Sequence, residues 1–382
     1  MKRKNIIKLI LISGLLTGCS STAASSSTAP TSTNTETYQN MNLDTGIFNT
    51  TYAYQEAPKT DASAGNYRYS LDQLKIYNDF YDIYNNYNGE NNLKTINDNA
   101  GIAPVKVDRK IIDMLNLAKE FYTYSNGEFD ITMGAVLKIW HSYREAGIAL
   151  NSQGQNAPVP TYDELAEVKN DCGWDKVVID DEANTVFITD PKASLDVGGL
   201  AKGYAAEQVG KDLTSKGIGG GYLNVGRNIR LLGSKIDGTA WRIGITDPSG
   251  TSDNSLLAVD VNPSYSVVTS GDYERYYTGS DGVRYSHIID PQTLFPATYY
   301  HSVTIIGDDS GVCDCLSTTL FTMTVEEGKK VIEAYAAATK KKVSVVWVMD
   351  SNPNKTQNES GRITGNYFVT YTDDLENALI WY

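Results

Sequence analysis

The 382-residue sequence predicts an α+β fold in which mixed and antiparallel sheets pack with helices. Three observations carry that expectation. Short runs of strand-type alternation recur and are joined by turn residues; single segments of helical period interrupt them; and the regular strand-helix alternation of a doubly wound sheet is missing. No internal repeat is evident.

Taken in order, "VDRKIIDMLNLAKEFYTYSNGEF" sets Ile111, Ile112, Leu115, Ala118 and Tyr122 on one stripe. That spacing predicts a helix with Asp108 as its N-cap and Gly127 near its stop. "DKVVIDDEANTVFITD" holds two alternating runs about a polar turn and reads as a hairpin. Leu200, Tyr204, Val209 and Leu213 then recur at helical spacing as far as Gly217, after which "GYLNVGRNIRLLG" and "WRIGIT" resume strand character. Near the C-terminus "VEEGKKVIEAYAAATKK" reads as a helix, and "VSVVWVM" and "NYFVTYT" as strands.

The N-terminus has a different character. Lys2, Arg3 and Lys4 precede an apolar run over residues 6–16 that is too short to span a bilayer and is followed by small residues. This is the order of a secretory signal. The run ends in Leu16-Thr17-Gly18-Cys19, which resembles the bacterial lipobox, so residues 1–18 are expected to be a lipoprotein signal peptide and Cys19 a lipidated N-terminus. Each buried CH₂ of an acyl chain contributes about 0.8 kcal/mol, so a multiply acylated cysteine tethers a protein to a membrane without spanning it. The expected location is the extracytoplasmic face of the bacterial cell membrane. Residues 20–37 are almost wholly Ser, Thr, Ala and Asn, a composition that buries too little apolar surface to fold. Residues 19–44 therefore read as a flexible linker and 45–382 as the folded domain.

The 33 basic and 46 acidic residues give a net charge of −13, with no Lys/Arg cluster. That argues against a nucleic-acid partner and against an electrostatic membrane footprint. With Cys19 set aside, Cys172, Cys313 and Cys315 are odd in number, and Cys313 and Cys315 stand too close for an easy bridge. They are expected to be small buried apolar residues.

Three constellations bear on chemistry. In "SLDVGGLAKGYAAEQVGKDL", residues 194–213, a strand ending in Asp196 would lead through Gly198-Gly199 into a helix with Lys202 in its first turn. Such a junction offers backbone N–H groups and a cation to an anion, or the glycines serve only close packing. Its glycine spacing matches neither a P-loop nor a dinucleotide fingerprint. In "CDCLSTTLF", Asp314 and Thr318 are four residues apart. They could be hard oxygen ligands for Mg²⁺, or an N-cap aspartate with a threonine on the same helix. "VVTSGDYERYYTGSDGVRYSHIIDPQT" carries His287, one of three histidines, a candidate acid or base.

Together with "NNLKTIN", "GEFDITMGAVLKIWH" and "YLNVGRNI", in this order and spacing, these segments resemble the ApbE family of FAD:protein FMN transferases from about residue 45 onward. The resemblance implies an ApbE-like (T-fold-like) architecture. It also implies transfer of FMN from FAD to a threonine hydroxyl of an exported acceptor protein, with release of AMP and with Mg²⁺ on the diphosphate. Carried over by position, Asp196 and Lys202 match FAD contacts, the Gly199 carbonyl matches a metal ligand, and Asp314 and Thr318 match the side-chain metal ligands. Residues 194–213 would then cradle the diphosphate. Glu128, Phe129, Asp130 and Ile288 fall at flavin-nucleotide contacts. Tyr87, ten residues before Asn97, falls where an aromatic meets the isoalloxazine ring. His287 is the expected base, a neutral imidazole near its ordinary pKa of about 6.5, with Asp290 as the alternative. Two departures stand out: Phe48-Asn49-Thr50 replaces the usual Met-Gly-Thr, and Gly226-Arg227 replaces a glycine pair. Two other activities remain open at this point, FAD pyrophosphatase and passive flavin binding by a tethered lipoprotein.

Overall fold

Strand-type alternation resolves into sheets and helical periodicity into the layer that covers them. The computed structural model describes residues 42–87, 89–249, 255–351 and 360–382. The expected signal peptide, Cys19 and the linker as far as residue 41 lie outside the described residues.

The chain opens with the hairpin β1 (Asn42–Ile47) and β2 (Thr50–Glu56), followed by α1 (Ser63–Tyr81), α2 (Leu93–Asp98), β3 (Val105–Lys106), α3 (Arg109–Tyr124), α4 (Gly134–Asn151) and α5 (Tyr162–Lys169). The hairpin β4 (Val177–Asp180) and β5 (Thr185–Ile188) precedes α6 (Ala201–Ser215). Then come β6 (Gly221–Val225), β7 (Asn228–Gly233), β8 (Trp241–Thr246), β9 (Ser255–Val261), β10 (Ser266–Gly271), β11 (Tyr277–Thr278) and β12 (Arg284–Tyr285). β13 (Ser302–Gly307) leads into α7 (Ser310–Phe321) and α8 (Val325–Thr339), and β14 (Ser344–Asp350), β15 (Gly361–Thr364), β16 (Tyr367–Tyr371) and β17 (Leu379–Trp381) complete the order.

Nine strands form one sheet in the order β1-β2-β6-β7-β10-β13-β14-β16-β15, and each neighbouring pair is antiparallel. Successive strand residues face opposite ways, and β14 shows what that does. Val345 and Trp347 join the core beneath α1, α3, α6, α7 and α8, whereas Val346 and Val348 join a second core shared with the sheet β17-β9-β8. The large sheet is thus buried on both faces, and each fully buried Val, Leu or Trp contributes on the order of 1.5–3 kcal/mol of transfer free energy. A third cluster, around Met133, Val136, Trp140 and Leu294, ties α4 and α5 to the β11-β12 hairpin.

The helix expected after Asp108 is α3, and the Asp108 carboxylate accepts from the Lys110 N–H at 2.8 Å. Its buried stripe holds Ile111, Ile112, Leu115 and Ala118 as expected, but Met114 and Phe121 complete it and Tyr122 is only half-buried. The hairpin and C-terminal elements also lie where the sequence places them. The three described cysteines are free thiols; Cys313 and Cys315 are buried and Cys172 half-buried. Two expectations are corrected. The first strand begins at Asn42, inside the expected linker. The segment leading to Asp196 is a single parallel bridge, Met133 to Ser194, rather than a strand, because Asn97 engages it with side-chain hydrogen bonds to both the N–H (2.8 Å) and the C=O (2.9 Å) of Leu195.

Candidate active site

The close approach of α6 and α7 builds the centre. A Cβ on Gly203 would lie 2.5 Å from the Cβ of Asp314 and 2.3 Å from the Ser310 carbonyl, so only glycine permits the contact. It brings the Gly203 N–H, in the first turn of α6, to 2.8 Å from Asp314 Oδ2. Lys202 Nζ stands 3.6 Å from the same oxygen and 3.4 Å from the Gly198 carbonyl. One turn along α7, the Thr318 hydroxyl donates to the Gly199 carbonyl at 3.3 Å. Gly199, Lys202, Asp314 and Thr318 therefore do come together.

Asp314 is not a helix cap. That role falls to Asp309, which accepts from the Gly311 and Val312 N–H groups at 2.9 and 3.2 Å. Asp314 lies mid-helix with 3% of its surface exposed. Burial pushes its pKa up, and Lys202 and the Gly203 N–H pull it back. A buried carboxylate, a hydroxyl and a carbonyl are hard oxygen donors, and such a small set fits Mg²⁺, which keeps most of its shell for water and phosphate. Among the described residues no group of three or more His, Cys, Asp or Glu side chains is placed to hold a metal.

The expected row of free N–H groups needs correction. The Gly198 N–H donates to Asp196 Oδ1 at 2.8 Å, the Ala201 N–H to the Val197 carbonyl at 3.0 Å, and the Gly203 N–H to Asp314. These donors are engaged by the protein's own oxygens, so the loop addresses an anion chiefly through Lys202.

His287 is half-buried, and its Nδ1 has no hydrogen-bond partner among the described residues. Burial and then the positive charges of Arg275, Arg144 and Lys202 push its pKa down to about 3, against a main-chain hydrogen bond at Arg275. The expectation of an imidazole near its ordinary value is corrected: the ring is fully neutral at pH 7. Burial pushes the Asp196 pKa up, opposed by the Gly198 N–H and by the charges of the same two arginines. Arg144, on α4, is held with its Nη2 2.7 Å from His141 Nδ1, and its nearest carboxylate, Glu145, is 3.7 Å away and exposed. Arg275 donates to the carbonyls of Phe48 and Asn49 at 3.0 and 3.2 Å. In a chain of net charge −13, two arginines with no tight carboxylate partner among the described residues, and Lys202 beside Asp314, all act on one neutral histidine. That is the field of an anion site.

Residues 48–341 match the ApbE family. The chain belongs to the ApbE family. It is 36% identical over 249 residues to the FAD:protein FMN transferase of Treponema pallidum (strain Nichols), which covers 62% of this chain and 66% of that protein, just under two thirds of its length. It is 30% identical over 259 residues to the enzyme of the same name from Klebsiella pneumoniae (strain 342), covering 67% and 74%. The crystal structure of an ApbE protein from Thermotoga maritima superposes with a TM-score of 0.68 at 28% identity, over 81% of this chain and 94% of that one. The flavin transferase ApbE from Vibrio cholerae does so with a TM-score of 0.67 at 25% identity, over 88% and 99%.

Within this ApbE fold the remaining expected residues divide. Tyr87 donates to Asp82 at 2.8 Å and lines a cleft with Asn86, Glu90 and Asp98, none of them part of the cation cluster. The aromatic beside Asp196 is Tyr84. Its ring stacks on His141 at 5.0 Å and 29°, it is 51% exposed, and burial followed by the Asp196 charge pushes its pKa up to about 12. Phe129 is buried against the edge of Phe121 and backs Gly199. Glu128 accepts from Gln292 and from Thr322, and its burial pushes its pKa up. Asp130 accepts from the Thr132 N–H and hydroxyl at 2.9 and 2.6 Å, closing its own loop. Ile288 is buried, its carbonyl accepting from the Ala297 N–H at 3.0 Å. Asp290, the alternative base, accepts from the N–H groups of Gln292 and Thr293, which makes it a turn former. Arg227 is tied to Glu274 at 2.5 Å and donates to Thr246 at 2.6 Å, so its guanidinium is not aimed at the cation cluster.

Sequence reasoning missed Tyr84, His141, Arg144 and Arg275. Tyr84 carried a usable signal, an aromatic three residues from the one chosen, and His141 and Arg144 are a local pair three apart on α4; Arg275 joins them only through the fold.

Proposed function

We propose that the protein is a Mg²⁺-dependent FAD:protein FMN transferase that moves FMN from FAD to a threonine hydroxyl of an exported acceptor and releases AMP. The observation that carries this reading is the oxygen set of Asp314, Thr318 and Gly199 drawn together beside Lys202, with the charges of Lys202, Arg144 and Arg275 acting on neutral His287.

The diphosphate of FAD would lie among the three cations, whose fixed charge favours the electron density that gathers on the phosphoryl oxygens in the transition state. Asp314, Thr318 and the Gly199 carbonyl would hold Mg²⁺, which supplies further charge neutralisation at those oxygens. The exposed face of Tyr84, backed by His141, suits the flat isoalloxazine ring. His287 would take the threonine proton as the threonine oxygen bonds to the FMN phosphorus and the bond to the AMP phosphate breaks. Its depressed pKa does not preclude this, because a bound diphosphate counters the cations that depress it and so raises its basicity as substrate arrives.

In this reading the signal peptide of residues 1–18 is removed and Cys19 carries the lipid that tethers the enzyme at the extracytoplasmic face of the cell membrane. The test is to incubate protein starting after Cys19 with FAD, Mg²⁺ and an exported acceptor domain, and to record the acceptor's intact mass and the free nucleotides. A covalent FMN adduct with free AMP is expected. FMN and AMP without an adduct would mean hydrolysis to water, and unchanged FAD would sink the enzymatic reading.

A further inference from the structure

Two adjacent turns carry side chains that such turns disfavour. β1 and β2 pair through Ile47 and Thr50, leaving Phe48 and Asn49 as the central turn residues at φ +51° and +53°. β6 and β7 pair through Val225 and Asn228, leaving Gly226 and Arg227 at φ +55° and +69°. Both have the positive φ values of type I′ hairpin turns, which favour Asn-Gly. The turns touch: the Gly226 N–H donates to the Thr51 carbonyl at 3.0 Å, and a Cβ on Gly226 would lie 2.4 Å from the Thr50 hydroxyl. Phe48 and Arg227 thus hold large side chains in a left-handed conformation that costs free energy at both positions, and strain of this kind persists where a site uses it.

Between the turns lies a solvent-open cleft of about 420 Å³, lined by Thr45, Asn49, Thr50, Thr51, Arg227 and Glu274. Small-molecule pockets are mostly apolar and enclose their ligand. This cleft is polar and open, and its Arg227–Glu274 ion pair cancels in charge, so it lacks the means to select a nucleotide. It is joined to the reacting centre through Arg275, the residue after Glu274, which bonds the Phe48 and Asn49 carbonyls and meets His287 through its main chain.

We propose that this cleft receives the acceptor protein, binding an extended, uncharged polypeptide segment rich in hydroxyl and amide groups that delivers its threonine toward His287. The inference rests on the transferase reading. Arg227 at the tip of its turn is then the residue that the acceptor meets and FAD does not.

The test compares wild type with Arg227→Gly and Arg227→Asn, both residues tolerant of positive φ, using a purified exported acceptor domain, FAD and Mg²⁺. The KM for the acceptor is expected to rise about tenfold in both variants, as for an interface side chain of substantial weight, while the FAD dissociation constant and the slow hydrolysis of FAD by water stay within twofold. An unchanged acceptor KM overturns the inference, as does a loss of FAD affinity equal to the loss for acceptor. If wild type itself forms no adduct, the transferase reading fails and the inference with it, which the wild-type arm reports separately.

Discussion

The main-chain N–H of Gly203 donates to the carboxylate of Asp314 at 2.8 Å, so the first turn of α6 is closed by a side chain from α7 rather than by its own N-cap, Leu200. This one contact joins the loop bearing Gly199 and Lys202 to the helix bearing Asp314 and Thr318. Gly203→Ala clashes with both the Asp314 side chain and the Ser310 carbonyl and so must push α6 and α7 apart. We expect a loss of about 1–3 kcal/mol of stability from overpacking, together with weaker Mg²⁺ binding. Thermal unfolding and calorimetric titration with Mg²⁺ in the presence of ADP check the two; a variant with unchanged Mg²⁺ affinity would show that the helix contact does not set the metal geometry.

Asp314→Ala removes the one buried carboxylate of the oxygen set. Lys202, its ion-pair partner, keeps 23% of its side chain in solvent and can rehydrate, so the fold should survive. Turnover should fall by about 100-fold or more, the scale of losing one group that stabilises transition-state charge. Steady-state release of AMP from FAD, alongside a circular dichroism spectrum, separates the two effects. Retention of most activity would remove Asp314 from the mechanism.

The pairing of Asp314 with Thr318, and of Gly199 with Lys202, was legible because each pair is local: four residues on one helix, three across one loop. The cation cluster was not. Arg144 comes from α4, Arg275 from the segment after β10 and Tyr84 from the segment after α1, and their proximity exists only once the helices pack on the sheet. Counting back from Asn97 selected Tyr87, because a residue count is blind to local turns. Asp82 accepts from the N–H groups of Tyr84 and Asn85 and from the Tyr87 hydroxyl, and this turn ties the Tyr87 ring to Asp82 while Tyr84 stacks on His141. α1 itself went unread because tyrosines 77 and 81 and Phe80 supply much of its buried face, and aromatic residues carry weak helix propensity. The strands, by contrast, followed from short apolar or alternating runs bounded by turn residues, although burial on both faces erases the alternation in β13 and β14.

His301 predicts the pH dependence of stability. It precedes β13, and its ring bridges Asp272 after β10 and Asp350 at the end of β14, at 2.9 Å each, with Arg284 3.6 Å from Asp272 and the Tyr367 ring edge-on. The hydrogen bond to Asp272 raises the His301 pKa, burial opposes it, and Asp350 adds to the rise. A raised folded-state pKa means that the stabilisation is complete below the unfolded value of about 6.5 and is lost as pH rises through the folded value. Stability should therefore decline on going from pH 6 toward pH 9, and His301→Gln should flatten that decline while lowering stability at pH 6. Asp350 is 82% exposed, so Asp350→Asn should change little. Urea unfolding across pH decides the matter; an unflattened decline in His301→Gln would place the titrating group elsewhere.

Arg144 gives the sharpest test of the electrostatic account. It lowers the His287 pKa and takes part in no tight ion pair among the described residues, so Arg144→Met should remove positive charge from the centre while breaking no close carboxylate contact, and the Asp196 pKa, which Arg144 also lowers, should rise. The His287 pKa should rise from about 3, although burial and Arg275, the larger causes of its depression, continue to hold it low. FAD binding should weaken, whereas riboflavin, which has no phosphate, should bind as before. For wild type the imidazole is neutral throughout the working range, so kcat/KM for FAD should show no acid limb from His287 near pH 6. In the variant any acid limb from His287 should move to higher pH than in wild type, because protonation competes with proton transfer from the acceptor. Arg144→Lys should restore most of the FAD affinity and hold the acid limb below that of the methionine variant. If Arg144→Met leaves both the pH profile and FAD affinity unchanged, the cations around His287 do not act on it, and the proposed role of bound diphosphate in raising its basicity falls as well.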